Sequence, residues 1–335
     1  RKESSAASDV YKRQVDMMFN IAKVLADIEA DSDQNIDLLA DLLKIKSIST
    51  IPDYADECYR AAGWLKAFLD SFGMDAIIYE SEGHPIVFSN YQTSRPEAKT
   101  ILFYGHYDVQ PVDPVSLWDS DPFDPVLSSI DNEPCIIARG ASDDKGQLLT
   151  FLIALKYIKD EAGELPFSLK IILEGEEECG SKTLPIFLED YKDKLSADIA
   201  YVCDTGMWDK DTPAITRSLR GLLSEEFKII GPDRDLHSGE FGGVAWNPIR
   251  IITKILSDVY DDEGKITIPN FYDGVNEVNE NIINSWKKLT FNEAEYLNKI
   301  GQKSSSGETG RSIFEKTWSR PCLLYTSDAA DDSLR

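Results

Sequence analysis

The stretch Leu102-Phe103-Tyr104-Gly105-His106-Tyr107-Asp108-Val109-Gln110 constrains this chain most. An apolar run of β character over residues 100–104 reaches a glycine, then presents a histidine and an aspartate one residue apart. Side chains at i and i+2 share one face of a strand, so His106 and Asp108 are expected to point the same way. A carboxylate beside an imidazole fixes its tautomer and makes it a better metal ligand or base. Alone, the same residues would also suit a solvated turn after a buried strand. Three further acidic clusters, each near the end of another apolar run, weigh against that plainer account.

Those clusters are Ala138-Arg139-Gly140-Ala141-Ser142-Asp143-Asp144-Lys145-Gly146, Leu173-Glu174-Gly175-Glu176-Glu177-Glu178-Cys179-Gly180-Ser181 and Tyr201-Val202-Cys203-Asp204-Thr205-Gly206. Singly, Asp143-Asp144 could cap a helix, 176–178 could be a solvated loop, and Asp204 could satisfy a turn. Carboxylates gathered together repel one another and shift upward in pKa, and a divalent cation removes that penalty. One histidine with several carboxylates suits Zn2+ or another borderline first-row metal such as Mn2+ or Co2+. A carboxylate shared by two metals about 3.5–4 Å apart could hold a bridging hydroxide, an arrangement that catalyses hydrolysis. An adjacent free glutamate would move the proton.

Apolar spacing predicts helices over 15–45, interrupted at Asp31-Ser32-Asp33, and over 55–72, stopped by Gly73. Strands are expected over 75–79, 85–91, 100–104, 167–174 and 198–202, and helices over 145–159 and 182–195. Residues 111–131 read as a long loop rich in Pro and Asp. This alternation predicts an α/β three-layer sandwich with a mostly parallel central sheet. Ligands in such folds sit at the carboxyl ends of strands, where all four clusters fall. The pattern changes near Leu219. A strand over 222–230, a helix over 247–259, a short strand over 266–268 and a polar helical stretch over 276–303 suggest a second, α+β unit. The expected division is 15–216 for the metal-binding domain and 217–321 for the second.

A formal charge of −24, from 35 basic against 59 acidic residues, disfavours nucleic acid and anionic membranes as partners. No run approaches a membrane span. Cys58, Cys135, Cys179 and Cys203 are widely spaced with no C-x-x-C pattern, as expected of free thiols in a reducing, cytoplasmic setting. The two ends stand apart. Ser5-Ala6-Ala7-Ser8-Asp9-Val10-Tyr11-Lys12-Arg13 is the opposite-strand translation of a DNA segment that encodes 322–331, and the segment resembles a transposon-end sequencing tag. Residues 1–14 and 322–335 are therefore expected to be non-native tails on a shortened parent.

Taken in order, five motifs resemble the di-zinc metallopeptidase family of aminoacylases, glutamate carboxypeptidases and dipeptidases, most nearly its carnosine-dipeptidase-like branch. They are Gly105-His106-Tyr107-Asp108-Val109-Gln110-Pro111, Leu117-Trp118-Asp119-Ser120-Asp121-Pro122-Phe123, Arg139-Gly140-Ala141-Ser142-Asp143-Asp144-Lys145-Gly146, Glu177-Glu178-x-Gly180-Ser181 and Asp235-Leu236-His237-Ser238-Gly239. The likeness spans about 36–321. It implies that His106 and Asp204 bind one zinc, that Asp143 bridges to a second, and that Glu178 also binds the second. It further implies Glu177 as general acid/base, Asp108 as the residue orienting His106, and a small peptide as substrate. The second unit is then an inserted lid through which two chains pair, with His237 reaching the partner's site to polarise the scissile carbonyl. His84 matches nothing in the pattern and is expected to be structural.

The resemblance also implies a late histidine completing the second zinc site, yet the chain holds only His84, His106 and His237. Part of the lid and of the catalytic domain is expected to be missing, leaving the second metal weakly held and activity impaired. Two other readings follow from the same residues. One is a deacylase of N-acyl amino acids by the same chemistry; the other is a catalytically dead metal-binding fragment.

Overall fold

The computed structural model describes residues 19–325 apart from 81, 131 and 210. Both proposed tails lie largely outside this range, as does the start of the helix expected from residue 15. Two compact units divide after Ala214.

In the first unit, helices α1 (Ile21–Ala30), α2 (Ser32–Leu43) and α3 (Ala55–Ser71) lead into strands β1 (Ile77–Tyr79), β2 (Ile86–Tyr91) and β3 (Thr100–His106). A hairpin, β4 (Val126–Ile130) and β5 (Glu133–Ile137), precedes α4 (Lys145–Ala162), β6 (Ser168–Glu174), α5 (Leu184–Asp190) and β7 (Ile199–Val202). The five-stranded sheet has the order β1-β2-β6-β3-β7. β6, β3 and β7 are mutually parallel, while β2 is antiparallel to both its neighbours. The sheet is therefore mixed, with β2 alone running against the others.

Strand alternation sorts the sheet's side chains into two cores. Val87, Phe103, Leu169, Ile171 and Leu173 face α3 and α4, which present Ala61, Ala62, Leu65, Leu69, Leu148, Leu152 and Leu155 at helical spacing. The ring of Phe103 stacks on Phe151, with centroids 3.8 Å apart. Ile86, Phe88 and Ile172 point the other way, onto Phe187 of α5. Each such side chain contributes about 1.5–3 kcal/mol on full burial, so both helical layers are bound to the sheet by their apolar faces. β6, covered on both faces, is buried along its whole length.

The hairpin replaces part of the loop expected over 111–131. All five residues of β4 are exposed, so its pairing is a backbone ladder without the alternating apolar signal that marks a half-buried strand.

The second unit, from Ile215 onward, contains α6 (Ser238–Phe241), α7 (Pro248–Asp258), α8 (Glu280–Trp286), α9 (Glu293–Asn298) and α10 (Ile313–Trp318). Residues 222–230 form no strand: Leu222 is 96% exposed, and the run has no ladder partner among the described residues. The strand expected over 266–268 is a single antiparallel bridge between Tyr260 and Ile266. The helix expected over 276–303 is broken in two because Asn279 and Asn292 each accept backbone N–H groups and start a new helix. No helix among the described residues is long and apolar enough to cross a membrane.

Candidate metal centre

Three parallel strands deliver the site. His106 is the last residue of β3 and pairs in register with Glu174, the last of β6. Tyr104 pairs with Val202 at the end of β7, so Asp204 emerges beside His106. The turn carrying Glu177 and Glu178 follows β6, and Asp143-Asp144 immediately precede α4.

The side chains converge. His106 Nε2 lies 3.0 Å from Asp143 Oδ1 and 3.8 Å from Asp204 Oδ2. His106, Asp143 and Glu178 each offer a ligand atom within 4.8 Å of one another, the one such group of three found among the described residues. His106 is fully buried, whereas the carboxylates of Asp143 and Asp204 are 57% and 36% exposed, so the cluster opens to solvent on their side.

Beneath it lies Asp108, itself fully buried. Its Oδ1 is 3.3 Å from His106 Nδ1, and the same ring nitrogen is 3.2 Å from the Asp108 carbonyl. The Glu177 amide donates to Oδ1 at 3.3 Å, and the Glu178 amide donates to Oδ2 at 3.1 Å. Ser49 Oγ donates to Oδ2 at 2.5 Å. Gln110 Nε2 donates to Glu178 Oε2 at 2.9 Å, fixing the carboxylate within the cluster. Asp144 is buried and accepts the His106 amide at 3.2 Å, so it anchors the strand end from below.

Electrostatically the cluster is short of positive charge. Burial raises the Glu178 carboxyl to about 7, assisted by the negative field of Asp143. Burial also lifts Asp144 to about 7 and raises Glu177 and Asp204. Asp143 is lowered by its hydrogen bond to His106. Burial disfavours charge on His106, but hydrogen bonds to Asp108 and Asp143 outweigh it and hold the imidazole at about 11. Crowded carboxylates, most of them pushed upward by burial, around one imidazole locked from behind, are the donor set a borderline divalent ion would satisfy. The residues fit such a metal.

His237 lies in the second unit, exposed, at the N-cap of α6, where Nδ1 accepts the Gly239 amide at 3.1 Å. His84 lies 3.0 Å from the Ser49 carbonyl through Nε2. Ser49, Gln110 and Lys145 received no role from the sequence. Gln110 and Lys145 stand inside the quoted motifs. Ser49 meets Asp108 across 59 residues, a contact for which no local pattern exists.

Comparison with known proteins shows the family. The human Beta-Ala-His dipeptidase is 29% identical over 317 residues, which is 90% of this chain and 62% of that protein. The Cys-Gly metallodipeptidase dug1 of Schizosaccharomyces pombe is 27% identical over 319 residues, 92% of this chain and 66% of that protein. The solved structure of the di-peptidase Dug1p from Saccharomyces cerevisiae superposes with a TM-score of 0.72 at 25% identity, covering 90% of this chain and 66% of that one. The chain thus spans just under two thirds of the length of these relatives. The profile of peptidase family M20/M25/M40 matches residues 102–330, which places this chain in that family.

Proposed function

We propose that this chain carries a metal-dependent peptidase site that hydrolyses the peptide bond of dipeptides. The observation that carries the reading is the meeting of His106, Asp143, Glu178 and Asp204 at the carboxyl ends of β3, β6 and β7. In this reading residues 15–216 are the catalytic domain and 217–321 a lid that pairs two chains. His106 and Asp204 would hold one zinc, Asp143 would be shared, and Glu178 would hold the second. When bound, the metal pair lowers the pKa of water and polarises the scissile carbonyl.

The protein's own part is positional. Asp108 sets the imidazole and, through two amides, the Glu177-Glu178 turn. Glu177, raised by burial, takes the proton from the attacking water and returns it to the leaving amine. His237 meets the substrate carbonyl of a partner chain. The candidate group found among the described residues offers one imidazole, so a second site built from Glu178 and the shared Asp143 would be weak and turnover by this chain low.

Zinc content by mass spectrometry, with turnover of β-Ala-His, Cys-Gly and N-acyl amino acids, tests the proposal. One firmly bound zinc per chain, lost in His106→Ala, is expected, with dipeptides cleaved in preference to acyl amino acids. Glu177→Gln should keep the zinc and lose the turnover. A wild-type chain that binds no zinc at micromolar concentrations would overturn the reading.

A further inference from the structure

The mechanism above leaves the buried carboxylate of Glu176, beside the site, unused. Glu176 is 6% exposed and stands immediately before Glu177 and Glu178, yet its side chain points away from the cluster into the body of the protein. There Oε1 accepts the His84 amide at 3.1 Å and Oε2 accepts the Thr183 amide at 2.7 Å. Its carbonyl accepts the amides of Cys179 and Ser181 at 3.1 and 2.7 Å, closing the turn around Glu177 and Glu178. A Cβ added to Gly83 would overlap Glu176 Oε1 and come within 2.6 Å of Thr183 Oγ1, so glycine is required for the approach.

The segment that Glu176 grips is tied to the rest of the centre twice more. His84 Nε2 lies 3.0 Å from the carbonyl of Ser49, whose hydroxyl donates to Asp108. The buried Tyr107 hydroxyl donates to the Pro85 carbonyl at 2.5 Å, and Tyr107 lies between His106 and Asp108. Residues 83–85 thus form a short brace with three attachments: to the turn, to the Ser49 loop and to the strand end.

We propose that Glu176 is a positioning residue: by gripping this brace and Thr183 at once, it sets the turn that presents Glu177 and Glu178. The proposal rests on the roles given above to those two residues. It assigns His84 and Gly83 a function through Glu176, without contact to substrate or metal. Both carboxylate oxygens face a backbone N–H. An amide offers one acceptor and one donor group, so Glu176→Gln sets an NH2 against an N–H in either orientation. The substitution is close to isosteric but electrostatically wrong.

The test uses the full chain and two readouts. In the metal-free protein, hydrogen exchange over residues 176–183 should rise about tenfold in Glu176→Gln while β3 stays protected. Zinc affinity, measured by competition with a chromophoric chelator, should fall about tenfold, the scale of lost outer partners of metal ligands. Leu155→Ala, a core truncation on α4, supplies the control: it should lose stability and keep its zinc affinity. If Glu176→Gln does not fold, Gly83→Ala displaces the same carboxylate from the other side and should give the same pattern. Unchanged exchange in the turn overturns the inference whether or not zinc binds. An equal loss of zinc affinity in Leu155→Ala overturns it too, because the effect would then be one of stability alone. A wild type that binds no zinc but shows the exchange response removes the reading of the metal site and upholds the brace.

Discussion

Asp108 lies directly behind His106, with its Oδ1 3.3 Å from Nδ1, while its two oxygens also accept the amides of Glu177 and Glu178. One carboxylate therefore orients the imidazole and registers the acidic turn against it. Asp108→Asn exchanges one acceptor for a donor that faces an N–H or a hydroxyl. Zinc affinity should drop by about 10–100-fold, as read by chelator competition. Ser49→Ala removes only one of the partners and should cost about 1 kcal/mol of stability in urea titration.

Zinc should stabilise the folded chain. A ligand that binds the native state alone adds about 2.7 kcal/mol at a free concentration one hundred times its Kd. Differential scanning calorimetry should show Tm rising with added zinc and returning on chelation. His106→Ala, which removes the nitrogen shared by the closest carboxylates, should abolish the rise.

Lys145 offers a test by pH. It is fully buried and donates to the carbonyls of Leu42 and Ile45 at 3.2 and 2.7 Å, closing the C-terminal end of α2. Burial lowers its pKa to about 7 from 10.5. Between those values the unfolded chain binds more protons than the native one, so this residue's contribution makes stability rise with pH across that window. Below about pH 7 the contribution is constant. The difference in unfolding free energy between wild type and Lys145→Met should therefore shift toward wild type from pH 7 to 10. At pH 7, Lys145→Met removes one donor from each of two carbonyls, which keep the amides of Ile45 and Ser47, and the loss of two hydrogen bonds is expected to cost about 1–3 kcal/mol.

Phe103 anchors the strand that ends in His106. It is fully buried and stacked on Phe151. Phe103→Ala should cost about 3–5 kcal/mol, measured by denaturant unfolding, and should weaken zinc binding only as far as β3 loosens.

Much of this architecture is legible in the sequence because it is periodic. β3, β6, β7 and α4 lie within a few residues of the apolar patterns that predict them, and the acidic clusters follow their ends. Three kinds of feature are not legible. The β4–β5 hairpin carries no alternation because one strand is wholly exposed. Residues 222–230 have strand-like composition, but composition does not supply a pairing strand. Lys145 and Ser49 act through contacts over about a hundred and 59 residues respectively, and a fully buried lysine runs against the usual preference of its type.

β7 is an edge strand of the sheet, paired on one side only among the described residues, and each of its four residues is exposed. Asp204 hangs from that margin, while His106 and Glu178 follow strands held on both sides. In the proposed metal site, an edge seam of the sheet therefore carries one arm of the donor set. If an ion is held there, peeling of this margin would detach Asp204 while the interior remains shut, so its escape would follow local opening and not the melting of the whole domain. Tightness of the cage is in that sense a property of the sheet's rim.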